Sequence, residues 1–78
     1  MVVLRAVKRN QNKIEADYYP ENRNAYGHIS IDLSNGKRLE HIPAPDCFHE
    51  MYGSHAETEL LRLAKLEKLP QEKFVLWY

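Results

Sequence analysis

The sequence predicts an α+β fold in two layers, a mostly antiparallel sheet of about five strands in the order β-β-β-β-α-β with one helix packed across one face. Three observations carry this. Several short runs alternate apolar and polar residues with period two, and turn residues separate them. One longer run, Ser54 to Leu69, has helical periodicity. The length of 78 residues suits one domain, residues 1–78, whose core gives only a modest stability margin.

The first strand is read over Val2 to Val7. Val2, Leu4 and Ala6 point one way and Val3, Arg5 and Val7 the other, so both parities are largely apolar and the strand is expected to be central. Asn10-Gln11-Asn12 signals a turn. Ile14, Ala16 and Tyr18 then alternate with Glu15, Asp17 and Tyr19, giving a half-buried antiparallel partner. Pro20 to Ala25 reads as a loop. From Tyr26 the alternation resumes, with Ile29, Ile31 and Leu33 inward and His28, Ser30 and Asp32 outward.

At Ser34-Asn35-Gly36 a two-residue turn would mix the faces of the two strands. A three-residue loop with left-handed Gly36 instead pairs Ile31 with Leu39 and Asp32 with Arg38, and is the expected arrangement. The fourth strand should end near Ile42, because Pro43 and Pro45 cannot donate to a ladder. Ala44 to Gly53 is then an irregular connection.

Ser54 and Glu57 form an S-x-x-E capping box that marks a helix start. At about 100° per residue, Ala56, Leu60, Leu63 and Ala64 share one stripe, flanked by Leu61 and Leu66, while Thr58, Arg62 and Lys65 face away. Glu67 extends the apolar stripe and is expected at the edge of the sheet. Pro70 ends the helix, and Lys73 to Tyr78 makes a last strand. Four meandering strands and one returning helix place that strand beside the first, in spatial order 5-1-2-3-4; a position beside the fourth strand is the alternative.

Composition restricts the function. Lys+Arg and Asp+Glu each number 11, so no net field draws the chain toward nucleic acid or membrane. The local balance is uneven: Arg5, Lys8, Arg9 and Lys13 precede the first acid, and Glu40 to Glu59 holds five acids and no Lys or Arg. The single cysteine, Cys47, provides no intrachain disulfide and fits a reducing compartment. Neither a signal peptide nor a membrane span is visible, so a cytoplasmic location is expected.

One helix cannot cover both faces of such a sheet. The uncovered face is expected to carry Glu15, Asp17, Tyr19, His28, Ser30 and Asp32, with Val3, Val7 and Trp77. Tyr19, His28, Ser30, Asp32 and Trp77 form the candidate interface, since aromatics on an otherwise polar patch suit a protein partner. The functional expectation is a non-enzymatic interaction module that self-associates through this face or through an edge strand, with no cofactor.

Two other chemistries compete. His41, Cys47, His49 and His55 are metal-capable side chains in the acidic stretch, and Cys47 with a neighbouring histidine suits thiol chemistry beside a helix N-terminus. Their spacing matches no closed zinc pattern, and the plainer reading makes the histidines surface residues and Cys47 a small hydrophobe. Aromatics on an open sheet also suit the stacking of unpaired bases, but Glu15, Asp17 and Asp32 beside them repel phosphate. No paired catalytic carboxylates, Ser/His/Asp order or glycine-rich phosphate loop occurs.

Overall fold

A computed structural model describes residues 1–45 and 50–76, Glu50 by its backbone alone. Five strands, β1 (Val2–Arg9), β2 (Lys13–Pro20), β3 (Gly27–Asp32), β4 (Arg38–Ile42) and β5 (Lys73–Val75), form one sheet in the order β4-β3-β2-β1-β5. Every neighbouring pair is antiparallel, and β5 lies beside β1 as the hairpin arithmetic requires. The single helix of the described residues, α1 (Glu50–Leu63), lies against β1, β2, β3 and β5. Among the described residues no helix is long and apolar enough to cross a membrane.

The core is the set of side chains that alternation turns toward α1. Val2 and Leu4, Ile14, Ala16 and Tyr18, Ile29 and Ile31, and Val75 meet Ala56, Leu60 and Leu63 of the helix, and nearly all are inaccessible to solvent. Gly27 permits a close approach at one end of this core. A Cβ there would stand 2.4 Å from the Ile42 carbonyl oxygen, 2.6 Å from the Tyr18 ring and 2.7 Å from the Ala44 amide nitrogen.

Several local expectations fail for identifiable reasons. The parity of β1 changes within the strand, because the register slips between Arg5 and Lys8 and Ala6 takes a positive φ of 54°. This bulge puts Val7 in the core beneath the helix, so it does not belong to the open face. Only Val3 and Arg5 of the early strand stay there.

The β3–β4 connection closes from the Asp32 amide to the Lys37 carbonyl at 2.8 Å, which leaves a four-residue loop instead of three. Gly36 is left-handed as expected, with φ 72°. The register then pairs Ile31 with Arg38 and Ser30 with Glu40, and Leu39 is the extra residue of a second irregularity, 56% exposed. Ile31 with Leu39 and Asp32 with Arg38 are therefore not partners.

The helix is displaced toward the N-terminus from its expected span. It begins at Glu50, so Ser54 is an interior residue whose carbonyl accepts from the Thr58 hydroxyl at 3.0 Å, and the capping box is not used. Glu57 instead binds Arg38 across the interlayer gap at 2.6 Å. Residues 50–53, expected in the irregular connection, are helical. At the other end α1 stops at Leu63, seven residues before Pro70, and Arg9 reaches over from β1 to the residues that follow. Its guanidinium donates to the carbonyls of Ala64 at 3.0 Å and Leu66 at 2.7 Å, satisfying groups that a helix end leaves open. Glu67 is exposed and lies past the helix. The last strand is shorter than expected, ending at Val75, and Trp77 and Tyr78 lie outside the described residues.

Candidate interaction face

The face of the sheet opposite α1 is organised in rows that the strand register defines. At one end, Tyr26 precedes β3 and stacks on Tyr19 of β2, with ring centroids 4.9 Å apart and planes 27° from parallel. Tyr19 pairs with Val3 of β1, which pairs with Phe74 of β5. An aromatic and aliphatic row therefore runs from β3 to β5. Val3 is fully buried within it, whereas Tyr26 and Phe74 are 50% and 48% exposed.

The next row is charged and connected. Ile42, His28 and Asp17 follow one another in register across β4, β3 and β2, and Asp17 pairs with Arg5 of β1. His28 Nδ1–H donates to Asp17 Oδ1 at 2.9 Å, and its Nε2 lies 3.8 Å from a Glu15 carboxylate oxygen. Arg5 has three neighbours: Glu72 at 3.0 Å, the Asn22 side-chain oxygen at 2.9 Å, and the Tyr19 ring, 4.7 Å below its guanidinium carbon. One cation thus ties the charged row to Glu72 and Asn22 beside the sheet and covers the Tyr19 ring.

Farther along the strands lie Glu40, Ser30, Glu15 and Lys8, and then Asp32 and Lys13. The Lys13 ammonium sits 3.0 Å from Glu15, and this hydrogen bond holds the Glu15 carboxyl below its ordinary value, with the charges of Lys13, His28 and Lys8 adding and partial burial opposing. Ser30 is buried between its neighbours. Asp32 is occupied locally, accepting from the Ser34 amide at 2.8 Å and the Ser34 hydroxyl at 2.6 Å, which lowers its carboxyl value and shapes the following loop. The depression lined by Lys8, Arg9, Asn10, Lys13 and Glu15 is about 140 Å³, smaller than small-molecule sites usually are.

Of the expected interface residues, Tyr19, His28 and Ser30 share this face as anticipated and Asp32 lies at its charged end. Trp77 lies outside the described residues. The register adds Tyr26, Phe74, Ile42 and Arg5, which alternation within single strands did not single out. Tyr26 follows once Gly27 is placed opposite Tyr18, and Phe74 once Val75 is placed in the core.

Among the described residues no cluster of three or more His, Cys, Asp or Glu side chains is arranged to hold an ion. Cys47 and His49 fall outside them. His41 is on the helix side, with both ring nitrogens engaged. The Arg38 guanidinium has only donors, so His41 Nδ1 accepts from it at 3.1 Å and Nε2–H donates to the Tyr18 hydroxyl at 2.6 Å. With Arg38 bound in turn to Glu57, these side chains tie β2 and β4 to α1. His55 is half-buried on the helix and also has a partner. Comparisons with known protein families, curated proteins and solved structures returned no match, so the face itself is the guide to what the chain does.

Proposed function

We propose that this protein is a non-enzymatic interaction module that self-associates through the sheet face opposite α1. The observation that carries the reading is the row Tyr26, Tyr19, Val3 and Phe74, apolar and partly exposed, on a face that no described element covers. Aromatic side chains left half exposed on an otherwise polar face are what interfaces concentrate.

Size supports a second copy as the occupant. The described chain measures 32 by 21 Å in its two longer directions, so pressing two such faces together buries roughly 1,300 Å² in all, within the range of about 1,200–2,000 Å² for stable complexes. Charge supports it too. The face carries both acidic and basic side chains and the chain has a net charge of zero, so no net charge drives two copies apart. A nucleic-acid strand has the stacked tyrosines and Arg5 in its favour, but Asp17, Glu15 and Glu40 line the adjoining rows and oppose phosphate.

Sedimentation velocity over a dilution series tests the reading. The expected result is a dimer at micromolar concentration for the unmodified protein and a monomer with unchanged circular dichroism for Tyr19→Glu and for His28→Glu. A monomer at every concentration up to the millimolar range overturns it.

A further inference from the structure

Resting on that reading, we propose a specific arrangement: the two copies pack face to face about a two-fold axis that runs along the strands, over β2. Two surfaces pressed together in a closed symmetric dimer are related by an axis lying in the plane between them. The open face is polarised along the strands, from the apolar row of Tyr26, Tyr19, Val3 and Phe74 at one end to Asp32 and Lys13 at the other. An axis along the strands leaves that coordinate unchanged and brings apolar end onto apolar end. An axis across the strands inverts it, driving the tyrosines onto Lys13 and Asp32 and stripping water from charged groups that gain no new partner.

The position of the axis follows from the strand order. β2 is the middle strand of five, so an axis over it gives the largest overlap and places β1 on the partner's β3 and β5 on the partner's β4. Two consequences agree with the side chains present. Phe74 on edge strand β5 comes to the end of the partner's β4 beside its Ile42, joining two apolar groups that are 48% and 53% exposed. Arg5 of β1 comes over the partner's His28 and Lys8 over the partner's Ser30, with Asp17, Glu15 and Glu40 on the strands to either side. Glu15 and Asp17 meet their own copies near the axis, but each is already bound, to Lys13 at 3.0 Å and His28 at 2.9 Å. Aligned packing of this sort, with the natural twist between sheets, is one of the two usual ways sheets stack.

Spin-label distance measurements decide it without touching the interface. In a Cys47→Ser background, one label goes on Gln11→Cys at the β1–β2 turn and another on Asn24→Cys in the β2–β3 loop, both exposed and at opposite ends of the face. With sheets ~10 Å apart and strands of eight residues ~26 Å long, the axis along the strands predicts a short distance, below about 20 Å, between like labels. Mixing the two labelled proteins then gives the long distance. Long distances between like labels, with a short one in the mixture, overturn the arrangement while leaving the dimer intact. The absence of any intermolecular signal, with a monomer in the same tube by sedimentation, overturns the self-association reading itself.

Discussion

Phe74→Gln is the substitution that weighs most directly on the proposed assembly. Phe74 sits on the three-residue strand β5 and is 48% exposed. A phenylalanine side chain has roughly 200 Å² to bury, so about 100 Å² remains available to a partner. At about 25 cal/mol per Å² this is worth about 2.5 kcal/mol per copy, and a symmetric dimer contains two. The dissociation constant should therefore rise by roughly three to four orders of magnitude, at about 1.4 kcal/mol per factor of ten. Met51→Gln is the matched control. Met51 is 45% exposed, but it belongs to α1 on the opposite layer. Sedimentation equilibrium of both variants, with thermal melts to confirm folding, gives the comparison. If Phe74→Gln binds itself within threefold of the unmodified protein, or if Met51→Gln weakens association equally, the open face is not the contact surface.

Two further outcomes follow from the site and the core. In Lys13→Met, Glu15 loses the hydrogen bond and charge that hold its carboxyl low. The stability this pair contributes is fully present above the ordinary carboxylate value and is lost as pH falls through the depressed one. The acid-unfolding midpoint of the variant should therefore move to higher pH, with the Glu15 carboxyl carbon titrating at a higher value by NMR, and an unchanged titration would refute the pairing. In Gly27→Ala, two of the three atoms met by the new Cβ belong to backbone and cannot swing aside. A loss of about 1–3 kcal/mol is expected, read as a fall in melting temperature of about 4–8 °C per kcal/mol, and an unchanged melt would mean that β4 yields freely.

How much of this was legible in the sequence depends on whether the decisive partner is near or far along the chain. Ile14, Ala16 and Tyr18, and Ile29 and Ile31, declare their faces by local alternation, and the turn at Asn10 makes the first pair of strands antiparallel; the strand order follows from these. The bulge at Ala6 was not legible, because Val2 to Val7 is apolar in both parities and either phase satisfies the pattern. The contacts of the helix come from outside it. Glu57 suits a capping box by spacing but makes a 2.6 Å bond to Arg38, and the carbonyls of Ala64 and Leu66 just past the helix are bound by Arg9, 55 positions or more before them. The site divides in the same way. Tyr19 and His28 follow from the period of their own strands, whereas Phe74 and Tyr26 need the register between strands.

The same register distinguishes between the two routes to self-association that the sequence left open. A sheet can extend through its edges or stack through its face, and proteins that do not extend usually blunt their edges. β4 is interrupted at Leu39, carries Glu40 and is followed at once by Pro43, which has no amide hydrogen to offer a neighbouring strand. β5 has only three residues and begins with Lys73. The open face carries no comparable deterrent at its apolar end: Tyr26 and Phe74 stand half exposed on either side of Tyr19 and Val3, and the adjoining charges are bound to one another. Edges built against pairing beside a face left apolar at one end favour stacking over extension as the route of the proposed self-association.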